Sequence, residues 1–150
     1  MIYRIAARGI LECDDKILFI EYRDTAGIFY ALPGGEQLPG ESLGASLIRE
    51  YKEETDLDID PLEIVLINEF IDKNSTVELW KDGIHQVEII FRCKLKDSNQ
   101  NHTIGTKPDN DMLGLKWIHK SEFKHFRIYP SDNFDKFLED KKLCYSFTER

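Results

Sequence analysis

The chain is most tightly constrained between Leu32 and Leu57. There Leu32-Pro33-Gly34-Gly35-Glu36-Gln37-Leu38-Pro39-Gly40-Glu41 runs through Ser42–Ile48 into Arg49-Glu50-Tyr51-Lys52-Glu53-Glu54-Thr55-Asp56-Leu57. Adjacent glycines and a Pro-Gly pair exclude regular structure from Pro33 to Gly40 and leave backbone carbonyls open to a ligand. From Ser42 to Thr55 no proline interrupts, and Leu43, Leu47, Ile48 and Tyr51 recur at helical spacing. A loop–helix–loop is expected. Ser42 has the chemistry of an N-cap, and Glu41 in a first turn would suit the positive end of the helix dipole equally well.

The acids are informative through their angular position. With Leu43 at zero, Leu47 falls at ~40°, Tyr51 at ~80° and Ile48 at ~140° on the helical wheel. Glu50 then lies at ~340°, Glu53 at ~280° and Glu54 at ~20°. A merely solvated acidic face would lie opposite the apolar stripe, at ~250°. Glu50 and Glu54 instead adjoin the buried side, where like charges repel and call for a counter-charge. A divalent cation would supply it, and Arg49 is spaced to pair with Glu53. The simpler account is that glutamate is a good helix former on a wet face. The glycine loop and the placement beside the core favour the cation.

Gly35, Glu41 and the run Arg49–Leu57 together resemble the Nudix box of the Nudix hydrolases. Two positions depart from that pattern. Tyr51 stands where an aliphatic residue is usual, and Asp56 replaces the glycine that usually follows the helix. The resemblance implies an α/β/α sandwich with a mixed central β-sheet. It also implies hydrolysis of a diphosphate linkage in a nucleoside diphosphate joined to a further group. By the same resemblance Glu50, Glu53, Glu54 and the Gly35 carbonyl hold Mg2+ or Mn2+, Glu41 supports the metal shell, and Arg49 orients a glutamate. Magnesium's preference for oxygen ligands agrees with these residue types. Glu53 or Glu50 is the first choice for general base. Two other readings stay open: a catalytically silent nucleotide-binding or sensor module on the same fold, and an enzyme for non-nucleotide diphosphates.

Acids outnumber bases 28 to 20, for a net charge of −8. Such a surface repels polyanions, so long nucleic acid is an improbable partner and a small nucleotide the expected one. Cys13, Cys93 and Cys144 are scattered, which argues against a disulfide framework or zinc site and for a reducing compartment. No apolar run reaches membrane-spanning length and no signal-peptide pattern opens the chain, so a cytoplasmic location without membrane contact is expected. Residues 1–150 read as one domain. The resemblance leaves room for a homodimer.

Along the chain, Ile2 to Glu12 alternates as a strand with Arg4 and Arg8 on one face. These arginines either grip phosphate or pair with neighbouring acids such as Glu12. Asp14-Asp15 turns into a strand over Lys16–Arg23, and Ile28–Leu32 feeds the glycine loop. Tyr30 frames the site or belongs to the core. Leu57–Asp60 and Leu62–Ile71 read as extended and buried on both faces. Thr76–Trp80, Asp82-Gly83 and Ile84–Leu95 read as a hairpin. Glu88 is a candidate metal ligand, substrate contact or base outside the helix; strand alternation alone would make it an ordinary outward-facing glutamate. Residues 97–111 read as a loop in which Asp109 and Asp111 are candidate bases. Pro130-Ser131-Asp132 opens a terminal helix striped by Phe134, Phe137 and Leu138.

Overall fold

The structure, a computed structural model, describes residues 1–74, 82–100, 111–129, 138–139 and 142–149. β1 (Ile2–Cys13) turns through Asp14 and Asp15, both left-handed, into β2 (Lys16–Asp24). β3 (Gly27–Ala31) and β4 (Gly34–Glu36) precede α1 (Leu43–Thr55). β5 (Ile59–Asp72), β6 (Ile84–Leu95) and β7 (Met112–His119) follow, then a 3₁₀ turn (Lys120–His125), β8 (Ile128–Tyr129) and β9 (Cys144–Glu149).

Among the described residues these strands form one mixed, curled sheet in the order β8-β3-β2-β1-β6-β5-β9, with β4 on β1 and β7 on β2. At its centre β1 runs parallel to β6, which brings Ala6 beside Glu88 and Arg8 beside Ile90. β4 lies antiparallel on β1, with Ala7 facing Gly35 and Arg8 facing Gly34. The strand that carries the two arginines is thus also the strand on which the glycine turn rests.

The sheet has a core on each face. On one, Leu47 and Tyr51 of α1 pack with Ala7, Leu11, Leu18 and Phe91. On the other, Ile10, Phe19, Leu32, Leu66 and Phe123 pack together, with Leu138 against them. This is the expected α/β fold with a mixed sheet. Of the two expected helices α1 is described; the terminal one falls mostly on residues 130–137, outside the described residues, and its described residues Leu138 and Glu139 are helical.

Three expectations change. Ile59–Asp72 is one strand, and it is not buried on both faces: Leu62 and Ile64 are exposed beside irregularities at Pro61/Ile64 and Ile64/Leu66. Pro61 has no N–H to give the ladder, so regular pairing lapses there. The antiparallel partner of β6 is β5, paired from Ile59↔Leu95 to Asp72↔Ile84, with β1 on its other edge, while Thr76–Trp80 lies outside the described residues. Glu41 precedes the helix instead of entering its first turn. Ser42 is the N-cap, its Oγ accepting from the Ala45 N–H at 3.1 Å.

Candidate active site

The turn between β3 and β4 is held by β1 through successive carbonyls. Arg8 Nη1 donates to the Leu32 carbonyl at 2.9 Å and the Gly34 carbonyl at 3.3 Å. The Gly9 N–H takes the Pro33 carbonyl between them at 3.0 Å. Gly34 has φ +136°, and a Cβ there would lie 2.1 Å from the Ala7 carbonyl oxygen, so only glycine fits. Its N–H donates to Glu54 Oε2 at 2.9 Å. Gly35 follows against Glu50: a Cβ would lie 2.6 Å from the Glu50 carboxyl carbon. The glycine pair therefore lets backbone meet two helix carboxylates at contact distance.

Arg49 gathers the remaining acids. Its Nε lies 2.6 Å from Glu41 Oε1, and its Nη1 lies 2.6 Å from Glu50 Oε1 and 3.4 Å from Glu53 Oε2. Its Nη2 also reaches the Glu36 carbonyl at 3.1 Å. Arg49 was expected to pair with Glu53; its shorter contacts are with Glu41 and Glu50. The hydrogen bonds from Arg49, helped by the Leu38 N–H, hold the Glu41 carboxyl down to about 2. The same bonds, Glu41 first, push the Arg49 guanidinium upward.

Four carboxylates, Glu41, Glu50, Glu53 and Glu54, thus converge on one guanidinium and one glycine turn. Arg49 offsets one of those charges. The donors left for a cation are all hard oxygens, the set magnesium and manganese prefer, and the Cβ-free Gly35 lets the Glu50 carboxylate come up against the backbone of the turn. The residues fit a divalent ion by chemistry and charge. Among the described residues no three acidic, His or Cys side chains are already closed around a common point.

Glu88 is not outward-facing; it is buried beneath this turn. Its Oε1 accepts from Arg8 Nε at 2.6 Å and Gln86 Nε2 at 2.8 Å, and its Oε2 from Asn68 Nδ2 at 2.8 Å. Burial lowers the pKa of the Arg8 guanidinium, but the charge and hydrogen bond of Glu88 more than offset this, so the net shift is upward. Glu12 is not Arg8's partner; it pairs with Lys120. Arg4 lies 3.9 Å from Glu36 Oε2, in a groove of about 410 Å³ that Pro39 and Glu41 also line. Tyr30 belongs to the core on the sheet face away from α1, its hydroxyl donating to Glu21 Oε1 at 2.8 Å. Asp111 is exposed in a turn, and Asp109 lies outside the described residues. Sequence reasoning missed Asn68 and Gln86, whose only signal was a polar residue at an inward position of a strand.

The two departures in the box have local reasons. Tyr51 is fully buried, and its hydroxyl donates to the Gly9 carbonyl at 3.0 Å. A Cβ on Gly9 would come within 2.7 Å of the Tyr51 ring, so the bulky ring and the missing side chain are complementary. Asp56 adopts φ 60°, ψ 13°, the left-handed conformation expected of glycine, and its N–H caps the Lys52 carbonyl at 3.1 Å. Lys52 Nζ lies 3.2 Å from Asp56 Oδ1, which answers the negative charge at the helix C-terminus.

Fold and site together define an α/β protein with an oxygen-only acidic centre where a glycine turn meets a helix. The family profile described as NUDIX domain matches residues 3–137, and the chain belongs to the Nudix family of hydrolases. It is 29% identical over 124 residues to a Bacillus subtilis protein described as the uncharacterized Nudix hydrolase YvcI, spanning 82% of this chain and 70% of that one. It is 46% identical over 55 residues to an ADP-ribose pyrophosphatase of Methanocaldococcus jannaschii, which is 35% of this chain and 32% of the relative. Among solved structures, a NUDIX hydrolase from Nitrosomonas europaea superposes with a TM-score of 0.69 at 17% identity, covering 98% of this chain and 78% of that one. That likeness concerns the fold. Among the described residues no helix is long and apolar enough to cross a membrane.

Proposed function

We propose that this hydrolase uses Mg2+ or Mn2+ to cleave the diphosphate linkage of a nucleoside diphosphate joined to a further group, with ADP-ribose the first substrate to test. The observation that carries this reading is the meeting of Glu54 and Glu50 with the Gly34-Gly35 turn, with Glu50 and Glu53 sharing the Arg49 guanidinium. The M. jannaschii relative supports the choice of ADP-ribose. Glu50, Glu53, Glu54 and the Gly35 carbonyl would hold the ion, which when bound neutralises phosphate charge and acidifies a water. Glu41 and Arg49 keep the helix acids in place around it. The groove beside Arg4 and Glu41 takes the rest of the substrate, and Arg4 offers its guanidinium to phosphate.

Water attacks phosphorus in line with the departing phosphoryl oxygen, and a carboxylate takes its proton. Glu88 is poorly suited to that task, because Arg8, Gln86 and Asn68 already occupy its oxygens. Glu53 is assigned the role, since its contact with Arg49, at 3.4 Å, is the loosest of the three. The protein works in an aqueous cytoplasmic setting on small nucleotides.

The test is turnover of a nucleotide panel headed by ADP-ribose with Mg2+ or Mn2+ in 18O-labelled water. Label in one phosphate product is expected, with AMP and ribose 5-phosphate released. Glu53→Gln and Glu54→Gln should each lower turnover by about 100-fold or more with the fold kept, because relieved repulsion offsets the lost bonds. Tight nucleotide binding without turnover would replace this reading with a sensor.

A further inference from the structure

The group formed by Arg8, Glu88 and the Leu32–Gly34 turn has no assigned role in the chemistry above, yet it ties a buried carboxylate to the backbone of the glycine turn. Arg8 was a candidate to grip substrate phosphate. Two of its three nitrogens point into the fold: Nε on Glu88 at 2.6 Å, and Nη1 shared between the Leu32 and Gly34 carbonyls at 2.9 and 3.3 Å. Glu88 is fixed in turn by Asn68 and Gln86, which projects the cluster back into β5 and β6. The carbonyls that Arg8 holds flank Pro33 and end one residue before Gly35, and the Gly34 N–H is the group that fixes Glu54.

Resting on the proposed function, we infer that Arg8 is a positioning residue, held by Glu88, that locks the Leu32–Gly34 turn so that Glu54 and the Gly35 carbonyl face the cation site. The fork of a guanidinium reaches a carboxylate on one side and two carbonyls on the other. An ammonium at the same position is a single point of charge and spans only part of that set. Glu88 is accordingly the anion that orients Arg8 and not a ligand.

The experiment compares the wild-type chain with R8K and E88Q by NMR amide exchange in the absence of metal. The reporters are the Gly34 N–H on Glu54 and the Gly9 N–H on Pro33; the control is the Lys120 N–H, bonded to the Asp15 carbonyl beside the β1–β2 turn. Both variants should expose Gly34 and Gly9 while the control keeps its protection. Mn2+ affinity, read by electron paramagnetic resonance without substrate, should fall by about tenfold in each variant, as for other groups that orient metal ligands. KM should stay within about threefold. Unchanged exchange at Gly34 and Gly9 in both variants would overturn the inference. So would unchanged Mn2+ affinity with a KM raised tenfold in R8K, which is the signature of a phosphate grip. A wild-type chain that takes up no Mn2+ would instead sink the proposed function, and the exchange data would still decide the role of Arg8.

Discussion

Neighbouring glycines at the site should respond to the same substitution in opposite ways. At Gly34 an added Cβ meets backbone: the Ala7 carbonyl oxygen at 2.1 Å and the Arg8 Cα at 2.7 Å, in a residue with φ +136°. Neither atom can rotate away, so the strand pairing Arg8↔Gly34 must open. Left-handed strain of about 1–3 kcal/mol adds to that clash, and Gly34→Ala should lose about 4 kcal/mol or more. At Gly35 the atoms met are the Glu50 carboxyl carbon and Oε2, both at 2.6 Å. These end a flexible side chain, which can swing outward. Doing so gives up the partly exposed ion pair with Arg49, worth about 0–1 kcal/mol. Alanine returns about 0.4–1 kcal/mol by restricting the unfolded chain. Gly35→Ala should therefore leave stability within about 1 kcal/mol, yet lower Mn2+ affinity and kcat by about 10- to 100-fold, because a metal oxygen donor has been displaced. Urea unfolding measures the first quantity, and Mn2+ titration with initial rates the second. Full turnover and undiminished Mn2+ binding in Gly35→Ala would refute the placement of Glu50 in the cation site.

Further consequences concern the scaffold. Tyr51→Phe removes the donor to the buried Gly9 carbonyl and should cost about 1–2 kcal/mol in urea unfolding without altering Mn2+ affinity. Asp56→Gly relieves a left-handed residue and a charge at the negative end of the helix, and should raise stability by about 0.5–1 kcal/mol, less whatever the exposed Lys52 pair contributes. Burial pushes the Cys93 thiol from 9.0 up to about 12. Its folded form holds the proton more tightly than the unfolded chain does, so this contribution is complete below pH 9 and is lost as pH rises from 9 toward 12. Stability should fall there by up to about 1.4 kcal/mol per pH unit, a slope that Cys93→Ser removes. In native protein Cys93 should resist thiol reagents that reach the exposed Cys13.

Much of the site was legible because its information is local. Helical period alone set Glu50 and Glu54 beside the apolar stripe, and Glu54 is indeed buried. The glycine pair announced a loop that backbone could enter, and Ser42 announced the helix start. Asp14-Asp15 was read correctly as a turn for the same reason: the preference lies within the residues that make it.

What the tertiary structure decided is non-local. Whether Arg8 meets Glu12 or Glu88 depends on which strand becomes the parallel neighbour of β1, and alternation within β1 carries no trace of that choice. Glu88 appeared outward because period two assigns faces without saying which face is covered; here both are, so a carboxylate could be buried provided an arginine, an asparagine and a glutamine were brought to it. Tyr51 in place of an aliphatic residue made sense only once Gly9, far along the chain, was seen to supply both the space and the acceptor. Residue type and period determine which groups could serve. Packing across distant strands decides which of them meet, because a buried charge or hydroxyl is tolerated only where its partner arrives.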